Sequence, residues 1–192
     1  VYNSWDECKA QVSGYDGAIY KSFPTLDQAK KAFDENPWLY VGKQAKATPK
    51  NNNINNPAII KESLAVDAAC SGNPGLMEYR GVYVLTGEQI FHQGPYEQGT
   101  NNIGEFLALV HGLALLKQKN LSMPIYSDSV NAIKWIKDKK CKTKLERTPT
   151  NMSLFYMIER AEKWLRENTF TTRIIKWETK EWGEIPADFG RK

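Results

Sequence analysis

The segment from Gly42 to Pro57 constrains most strongly how this chain can fold. It runs through Lys, Ala, Thr and Pro and then the letters NNNINN, with almost no side chain that could pack into a core. Such a composition is typical of a flexible linker. We therefore predict three parts: a small module at residues 1–41, a linker at 42–60 and a main domain at 61–192.

Composition narrows the class of protein. A chain of 192 residues that is 41% hydrophobic can form one ordinary α/β domain and a small second unit. No apolar run approaches the roughly 18 residues that a membrane span needs, and the start lacks the basic and apolar segments of a secretion signal. Cys8, Cys70 and Cys141 are far apart and form no C-x-x-C pair. We expect a cytoplasmic protein with reduced thiols, no membrane association and no obligate protein partner.

The charge is uninformative except in one segment. The formal net charge is +4, but Lys134–Arg147 contains seven basic residues against Asp138 and Glu146. Such a segment can follow a phosphate backbone, and it can equally be the solvated face of a helix. Both interpretations stay open on charge alone.

The front module has a simple pattern. Ser4 or Asn3 can cap a helix with the sequence WDECKAQV, AIYKSF predicts a strand, and Thr25 can cap a second helix, LDQAKKAF. Residues 1–41 thus predict a small α/β module.

The main domain predicts a larger α/β fold. SLAVDAA, GVYVL and EQIFHQ predict three strands, with SGNPG as a tight turn after the first. A helix from Ile103 to Lys117, a buried strand MPIYSD, two further helices, a strand TTRIIKW and a last helix from about Pro186 follow. The order βββαβααβα predicts a mixed five-stranded sheet flanked by helices.

Acidic residues recur at structured positions of this domain. Asp67 lies inside an apolar strand, Glu105 one turn into the long helix, and Asp128 at the end of the buried strand. Asp188 is predicted on the last helix, four residues after Glu184, so both side chains would share a face. Each acid taken singly is more often a cap or a turn residue, but a charge inside a strand needs a partner.

A metal ion is the natural partner for several converging acids. Oxygen ligands without nearby His or Cys favour Mg²⁺ or Mn²⁺ over zinc, and two such ions suit phosphoryl transfer. Asn73, Asn101 and Asn102 are predicted in loops beside the acids. Asn is common in turns, but together these amides could contact the 2′-hydroxyl that distinguishes RNA from DNA.

Four segments resemble the motifs of one family. VDAACSGNPG, TNNIGEFLALVHGL, YSDSVNAIKWI and WGEIPADFGRK are similar, in this order, to the motifs of type 1 ribonucleases H. The resemblance implies a ribonuclease H-like fold and hydrolysis of the RNA strand of RNA/DNA hybrids, leaving 3′-hydroxyl and 5′-phosphate ends. It implies that Asp67, Glu105, Asp128 and Asp188 hold two Mg²⁺ ions, with Mn²⁺ as an alternative.

The same resemblance implies roles in substrate binding. Asn73, Asn101 and Asn102 match positions that contact 2′-hydroxyls of the RNA strand. Thr100 and Thr143, with Asn102, match positions that hold a DNA phosphate.

Two positions depart from the family pattern. Ala68 replaces the Gly that often follows the first Asp, and no His lies in the loop KEWGEI before the last Asp. The chain thus resembles a bacterial subgroup in which a Glu, here Glu184, approaches the second metal. We expect Glu184 to affect metal binding or product release.

The front module resembles the hybrid-binding domain that precedes many cellular ribonucleases H. The resemblance implies that Trp5 and Tyr20 contact a base or sugar and that Lys21 meets a phosphate. The alternative is that both aromatics are core residues of a tiny domain. Relatives have a strand before this segment, so we expect the module to lack its first strand.

Two other functions fit part of this pattern. Integrases and transposases share the sheet and its acids, but they need no contact to a 2′-hydroxyl. A non-catalytic hybrid-binding protein would be expected to have lost at least one of the four acids, and all four are present.

Overall fold

The computed structural model describes residues 1–13, 20–23, 25–34 and 56–190. Most of the predicted linker, up to residue 55, lies outside the described residues. By their internal contacts the residues fall into two units, Val1–Lys46 and Ala47–Lys192.

The first unit contains the two predicted helices. Helix α1 spans Trp5–Val12, and the Ser4 hydroxyl accepts a hydrogen bond from the Glu7 N–H at 3.3 Å. Helix α2 spans Leu26–Asp34, and Thr25 caps it in the same way through the Gln28 N–H. The strand predicted at AIYKSF is absent at residues 20–23, and residues 18–19 lie outside the described part.

The second unit is built on a mixed sheet of five strands in the order β3-β2-β1-β4-β5. The first three strands pair antiparallel, and β4 and β5 continue the sheet in parallel with β1. The bounds are β1 Leu64–Gly72, β2 Gly75–Tyr83, β3 Glu88–Gly99, β4 Ile125–Ser127 and β5 Ile174–Lys176. The predicted five-stranded mixed sheet is confirmed.

Four helices accompany this sheet. They are α3 Asn101–Gln118, α4 Val130–Lys137, α5 Met152–Glu167 and α6 Thr179–Trp182. The predicted element order is confirmed, but the predicted position of the last helix is wrong. Residues 183–190 form no helix, and α6 precedes them.

Burial explains why the chain after α6 is not helical. Gly183 ends α6 with a φ of 78°, and its carbonyl accepts a hydrogen bond from Trp177 Nε1 at 2.8 Å. Ile185 and Ala187 are then both buried, with exposed fractions of 1% and 0%. Alternate residues would lie on different faces of a helix, so the segment forms a turn, closed by the Asp188 N–H on the Ile185 carbonyl at 2.8 Å.

A two-residue turn joins β1 and β2. Asn73 and Pro74 form this turn, and it pairs Gly72 with Gly75 and, further along, Asp67 with Arg80. The tight turn is thus confirmed, but β2 begins six residues earlier than the predicted strand GVYVL.

Close packing holds α3 against the sheet. A Cβ atom added at Gly104 would lie 2.6 Å from the Ala68 Cβ and 2.7 Å from the Met77 sulfur, closer than real Cβ contacts. The absence of a side chain at Gly104 therefore lets the first turn of α3 approach β1.

Aromatic residues fill the core on the opposite side. The Tyr126 ring packs edge-on against Trp177 and Trp182, with centroids 5.4 and 6.0 Å away. The other buried residues of this cluster are Ile59, Ala65, Val82, Val84, Ile185 and Ala187.

Within the part of the chain that the structure describes, no helix has both the length and the apolar character to cross a membrane.

Candidate active site

Two carboxylates are brought together by the pairing of β1 with β4. Leu64 pairs with Ile125 and Ala65 with Tyr126 in parallel register. Continued by two positions, this register places Asp128 beside Asp67. Asp67 is only 7% exposed, because β1 is central in the sheet.

Helix α3 brings a third carboxylate to the same place. Thr100 caps the helix by accepting a hydrogen bond from the Ile103 N–H, and Glu105 lies in the turn that follows. Glu105 is 8% exposed, and its Oε1 accepts a hydrogen bond from Asn101 Nδ2 at 2.9 Å. The contact of Gly104 with β1 sets the depth at which this side chain lies.

The three carboxylates form a cluster that could hold a metal ion. One oxygen from each of Asp67, Glu105 and Asp128 lies within 4.8 Å of the others. Glu105 Oε2 and Asp128 Oδ1 are buried without a hydrogen-bond partner among the described residues. Buried polar atoms are nearly always satisfied, so a cation at this cluster would supply the missing partner.

Burial makes these acids hard to ionise together. Burial raises the pKa of Asp67 well above its ordinary value, and the Asp128 charge raises it further. Burial also raises the pKa of Glu105 to about 7, and the nearby Ser129 hydroxyl acts in the opposite direction. The pKa of Asp128 is raised by burial and lowered by the Lys176 ammonium. A bound cation would favour the ionised form of all three acids, so the cluster is suited to bind one.

Two further acids reach the same cavity. It has a volume of about 460 Å³, and its lining includes Glu184 and Asp188 besides the three clustered acids. Asp188 was predicted on a helix, but it lies at the end of the Ile185–Asp188 turn, where its Oδ2 accepts a hydrogen bond from the Gly190 N–H at 2.7 Å. Glu184 and Asp188 therefore share the cavity through a turn, and not through helical spacing.

Only one of the three predicted amide side chains is part of the cavity lining. Asn101 lines it, whereas Asn73 lies in the exposed turn between β1 and β2 and is not part of the lining. The prediction that Asn101 and Asn102 lie in a loop is wrong, because α3 begins at Asn101. Asn102 is exposed in the first turn of this helix, and its Oδ1 accepts a hydrogen bond from Asn131 Nδ2 at 3.4 Å.

The hydroxyls of the two predicted phosphate-contact threonines both accept hydrogen bonds from nearby backbone N–H groups. Thr100 caps α3, as described above, and the Thr143 hydroxyl accepts a hydrogen bond from the Leu145 N–H at 3.1 Å. Neither is part of the cavity lining.

The basic segment Lys134–Arg147 is partly neutralised. Lys140 pairs with Glu162, Lys142 with Asp138, and Arg147 with Glu159. Three of its seven basic side chains thus contact acids, which is what a solvated, ion-paired surface shows.

The first unit presents an aromatic pair on its surface. The rings of Trp5 and Tyr20 lie 5.1 Å apart, and each residue is 53% exposed. Lys21 is also exposed, and its ammonium lies 5.9 Å from the Phe23 ring. The alternative that both aromatics are core residues does not fit this exposure.

Arg80 and Lys176 are charged neighbours of the site that sequence reasoning missed. Lys176 ends β5 and acts on Asp128, whereas Arg80 donates to the backbone of Ala187 and Asp188. A usable signal for Arg80 was present, because a turn centred on Asn73 and Pro74 pairs Arg80 with Asp67.

We expect Glu105→Gln to stabilise the metal-free protein. The pKa of Glu105 is raised from 4.5 to about 7 in the folded state, so its ionisation opposes folding as pH rises through that interval. The amide removes the charge and retains an acceptor for Asn101. In EDTA at pH 8 the free energy of unfolding should rise by about 1–3 kcal/mol, measured by thermal or urea unfolding, and the gain should vanish below about pH 4.5.

Glu162→Gln is the matched control. Glu162 is buried as well, but it accepts hydrogen bonds from Lys140 Nζ at 2.7 Å and the Cys141 N–H at 3.1 Å. Its substitution should lower the free energy of unfolding. A fall for Glu105→Gln too would contradict the account of a repulsive cluster.

Relatives with known names match parts of the chain. The ribonuclease H of Saccharomyces cerevisiae is 63% identical over 30 residues, which cover 16% of this chain and 9% of that protein. The ribonuclease H of Desulforamulus reducens is 38% identical over 91 residues, covering 44% and 57%. That of Maricaulis maris is 28% identical over 133 residues, covering 66% and 87%. The chain thus spans less than two thirds of the first two.

Solved structures are also similar. A ribonuclease H1 isolated from compost superposes with a TM-score of 0.39 at 17% identity, covering 64% of this chain and 88% of that one. The ribonuclease H1 of Halobacterium salinarum gives a TM-score of 0.36 at 21% identity, covering 62% and 89%.

Family models match both units. Residues 1–33 match the model described as the ribonuclease H1 N-terminal domain. Residues 61–179, more than half of the chain, match the RNase H model, and they include Asp67, Glu105 and Asp128. The chain belongs to the ribonuclease H family.

Proposed function

We propose that this protein is an endonuclease that hydrolyses the RNA strand of RNA/DNA hybrids. The observation that supports this most is the largely buried cluster of Asp67, Glu105 and Asp128. Among the described residues, one oxygen on each of the last two has no hydrogen-bond partner. The cluster lies in the residues that match the RNase H model. The cytoplasmic location of the protein stays a prediction.

The site fits a divalent cation. Members of this family depend on divalent metals, and a cluster of carboxylates without His or Cys ligands suits a hard ion. We propose Mg²⁺, two ions per site, with Mn²⁺ as a substitute. Asp67, Glu105, Asp128 and Asp188 would hold them, and Glu184 would lie beside the second.

The reaction needs little covalent chemistry from the protein. The bound ions would activate water and stabilise the charge that develops on the leaving oxygen. Water adds to phosphorus as the bond to the 3′-oxygen breaks, which leaves a 3′-hydroxyl and a 5′-phosphate. The protein's part is to hold four carboxylates in fixed positions, and β1, α3 and β4 do so for three of them.

We assign the selection of RNA over DNA to the side-chain amides of three Asn residues. Asn101 lines the cavity and donates to Glu105, so its carbonyl oxygen faces away from that bond and can accept from a 2′-hydroxyl. Asn73 and Asn102 are exposed on the two elements that flank the cavity, the β1–β2 turn and α3. We assign all three to the RNA strand, and Thr100, Asn102 and Thr143 to a phosphate of the DNA strand.

We assign residues 1–41 to hybrid binding. The exposed pair Trp5 and Tyr20 provides flat surface for a base or sugar, and Lys21 provides charge for a phosphate. Residues 42–60 would tether this module to the catalytic domain at 61–192, raising the local concentration of duplex.

Asp128→Asn should abolish cleavage of a labelled RNA/DNA hybrid in Mg²⁺. Loss of one ligand from the cluster should lower the rate by at least about 100-fold. Asp138→Asn, an exposed aspartate that pairs with Lys142, is the matched control and should cut at the normal rate. Gel assays should include RNA/RNA and DNA/DNA duplexes and an EDTA arm.

Each outcome of this assay points to one function. Cutting of the hybrid's RNA alone, lost in EDTA and in Asp128→Asn, supports the proposal. Tight hybrid binding without cutting by the unmodified protein would favour a binding protein. Cutting of DNA/DNA would favour an integrase-like nuclease.

Glu184→Gln should change the metal dependence. Glu184 lines the cavity, and its charge raises the pKa of Asp128. Its removal should shift the Mg²⁺ concentration that gives half-maximal rate by about 3- to 10-fold, or change turnover, because the charges of acids that line one cavity interact. Glu181→Gln alters an exposed acid of α6 and should change neither. Unchanged turnover and Mg²⁺ optimum in Glu184→Gln would show that Glu184 affects neither metal binding nor product release.

Trp5→Ala should weaken hybrid binding and leave the chemical step intact. Loss of one stacking contact predicts a Kd for the hybrid that is about 5- to 100-fold higher, with kcat unchanged at saturation. Phe33→Ala is the control, because Phe33 is 75% exposed in the same unit and is assigned no contact. Fluorescence anisotropy would measure the Kd of both variants, and the cleavage assay would give their kcat. Equal affinity of Trp5→Ala and the unmodified protein would show that Trp5 does not contact the hybrid.

A further inference from the structure

A row of three side chains crosses the antiparallel half of the sheet. Arg80 on β2 pairs directly with Asp67 on β1 and with His92 on β3. Directly paired residues point to the same face of a sheet, so the three side chains lie side by side. Ala65, on the same face as Asp67, belongs to the same buried cluster as Ile185 and Ala187.

The segment that contains Asp188 is attached to the middle of this row. Arg80 Nε donates a hydrogen bond to the Ala187 carbonyl at 2.9 Å, and its Nη2 donates to the Asp188 carbonyl. The guanidinium also lies 4.6 Å from the centroid of the Phe189 ring. His92 flanks that ring at 6.0 Å and bonds to Glu78 through Nε2 at 2.7 Å.

These contacts replace the regular hydrogen bonds that the segment lacks. Residues 183–190 are neither helix nor strand, so their carbonyls have no partners from secondary structure. A guanidinium can donate to two neighbouring carbonyls at once because its N–H groups form a planar fork. Arg80 thereby fixes the backbone on both sides of the Asp188 Cα atom.

Arg80 is placed to act on the segment and not on the substrate. It is not part of the lining of the 460 Å³ cavity, whereas Asp188 and Phe189 are. It is half-buried under the segment that it binds. Its Nε and Nη2 are engaged by these carbonyls, which directs that edge of the guanidinium towards the segment.

We propose that Arg80 is a positioning residue, which holds the Ala187–Phe189 backbone so that the Asp188 carboxylate faces Asp67 and Asp128. The inference rests on the proposed function, because it gives Asp188 a part in holding the metal. Arg80 itself touches neither metal nor substrate. Its effect on metal binding therefore passes through Asp188.

A double-mutant cycle tests this pathway directly. Mn²⁺ binding to the metal-free protein would be measured from the electron paramagnetic resonance signal of free Mn²⁺, in unmodified, Arg80→Met, Asp188→Asn and doubly substituted protein. We expect Arg80→Met to raise the Mn²⁺ Kd by about 5- to 50-fold, the effect of losing two hydrogen bonds. In the Asp188→Asn background the same substitution should have no further effect.

Further variants separate positioning from other roles. Arg80→Lys keeps the charge but not the fork, so its Mn²⁺ Kd should lie between those of Arg80→Met and the unmodified protein. Arg173→Met is the control, since Arg173 is exposed at the start of β5, the end of that strand away from Asp128. In cleavage assays Arg80→Met should lower kcat and raise the Mg²⁺ requirement, with the KM for hybrid changed less than about 2-fold.

Three results would overturn the assignment. Equal weakening of Mn²⁺ binding in both backgrounds would show that Arg80 acts on the whole cluster. A rise in KM alone would make it a phosphate contact, and a lower Tm with normal Mn²⁺ binding would make it purely structural. Full cleavage by Asp188→Asn would instead refute the proposed role of Asp188, independently of any result at Arg80.

Discussion

The parallel pairing of β1 with β4 is the constraint on which the rest of the site depends. It places Asp67 and Asp128 side by side in a part of the sheet that is largely closed to water. Hydrogen bonding between the strands fixes this arrangement, so neither side chain can relieve the repulsion by moving far. The other parts of the site, α3 with Glu105 and the turn with Asp188, are organised around this pair.

The fold therefore contains a local opposition between stability and function. Burial and mutual charge raise the pKa of Asp67, Glu105 and Asp128, so ionising them opposes folding. The buried aromatic cluster of Tyr126, Trp177 and Trp182 stabilises the sheet beside them. This packing can offset the unfavourable burial of three acids. A cation that binds the folded protein would relieve the repulsion between them and thereby stabilise the fold.

The sequence was sufficient to predict the elements in which the periodicity of apolar residues agrees with the burial seen in the structure. The apolar strands around Asp67 and Asp128 and the helix with Glu105 were each recognisable, and together they define the sheet and the cluster. The helix predicted from Pro186 was wrong because local propensity at that point yields to the burial of Ile185 and Ala187. Arg80 was missed because the predicted strand began one residue after it. The roles assigned to the amides, threonines and Trp5 stay predictions.

The β1–β2 turn has a consequence beyond its own geometry. The nine residue pairs from Leu64–Tyr83 to Gly72–Gly75 run without a shift, so every pairing is counted from Asn73 and Pro74. Surface turns usually accept insertions during evolution, yet one added residue propagated through this ladder would move Arg80 to the opposite face of the sheet. The length of this exposed turn therefore decides which face of the sheet Arg80 occupies, although neither turn residue lines the cavity.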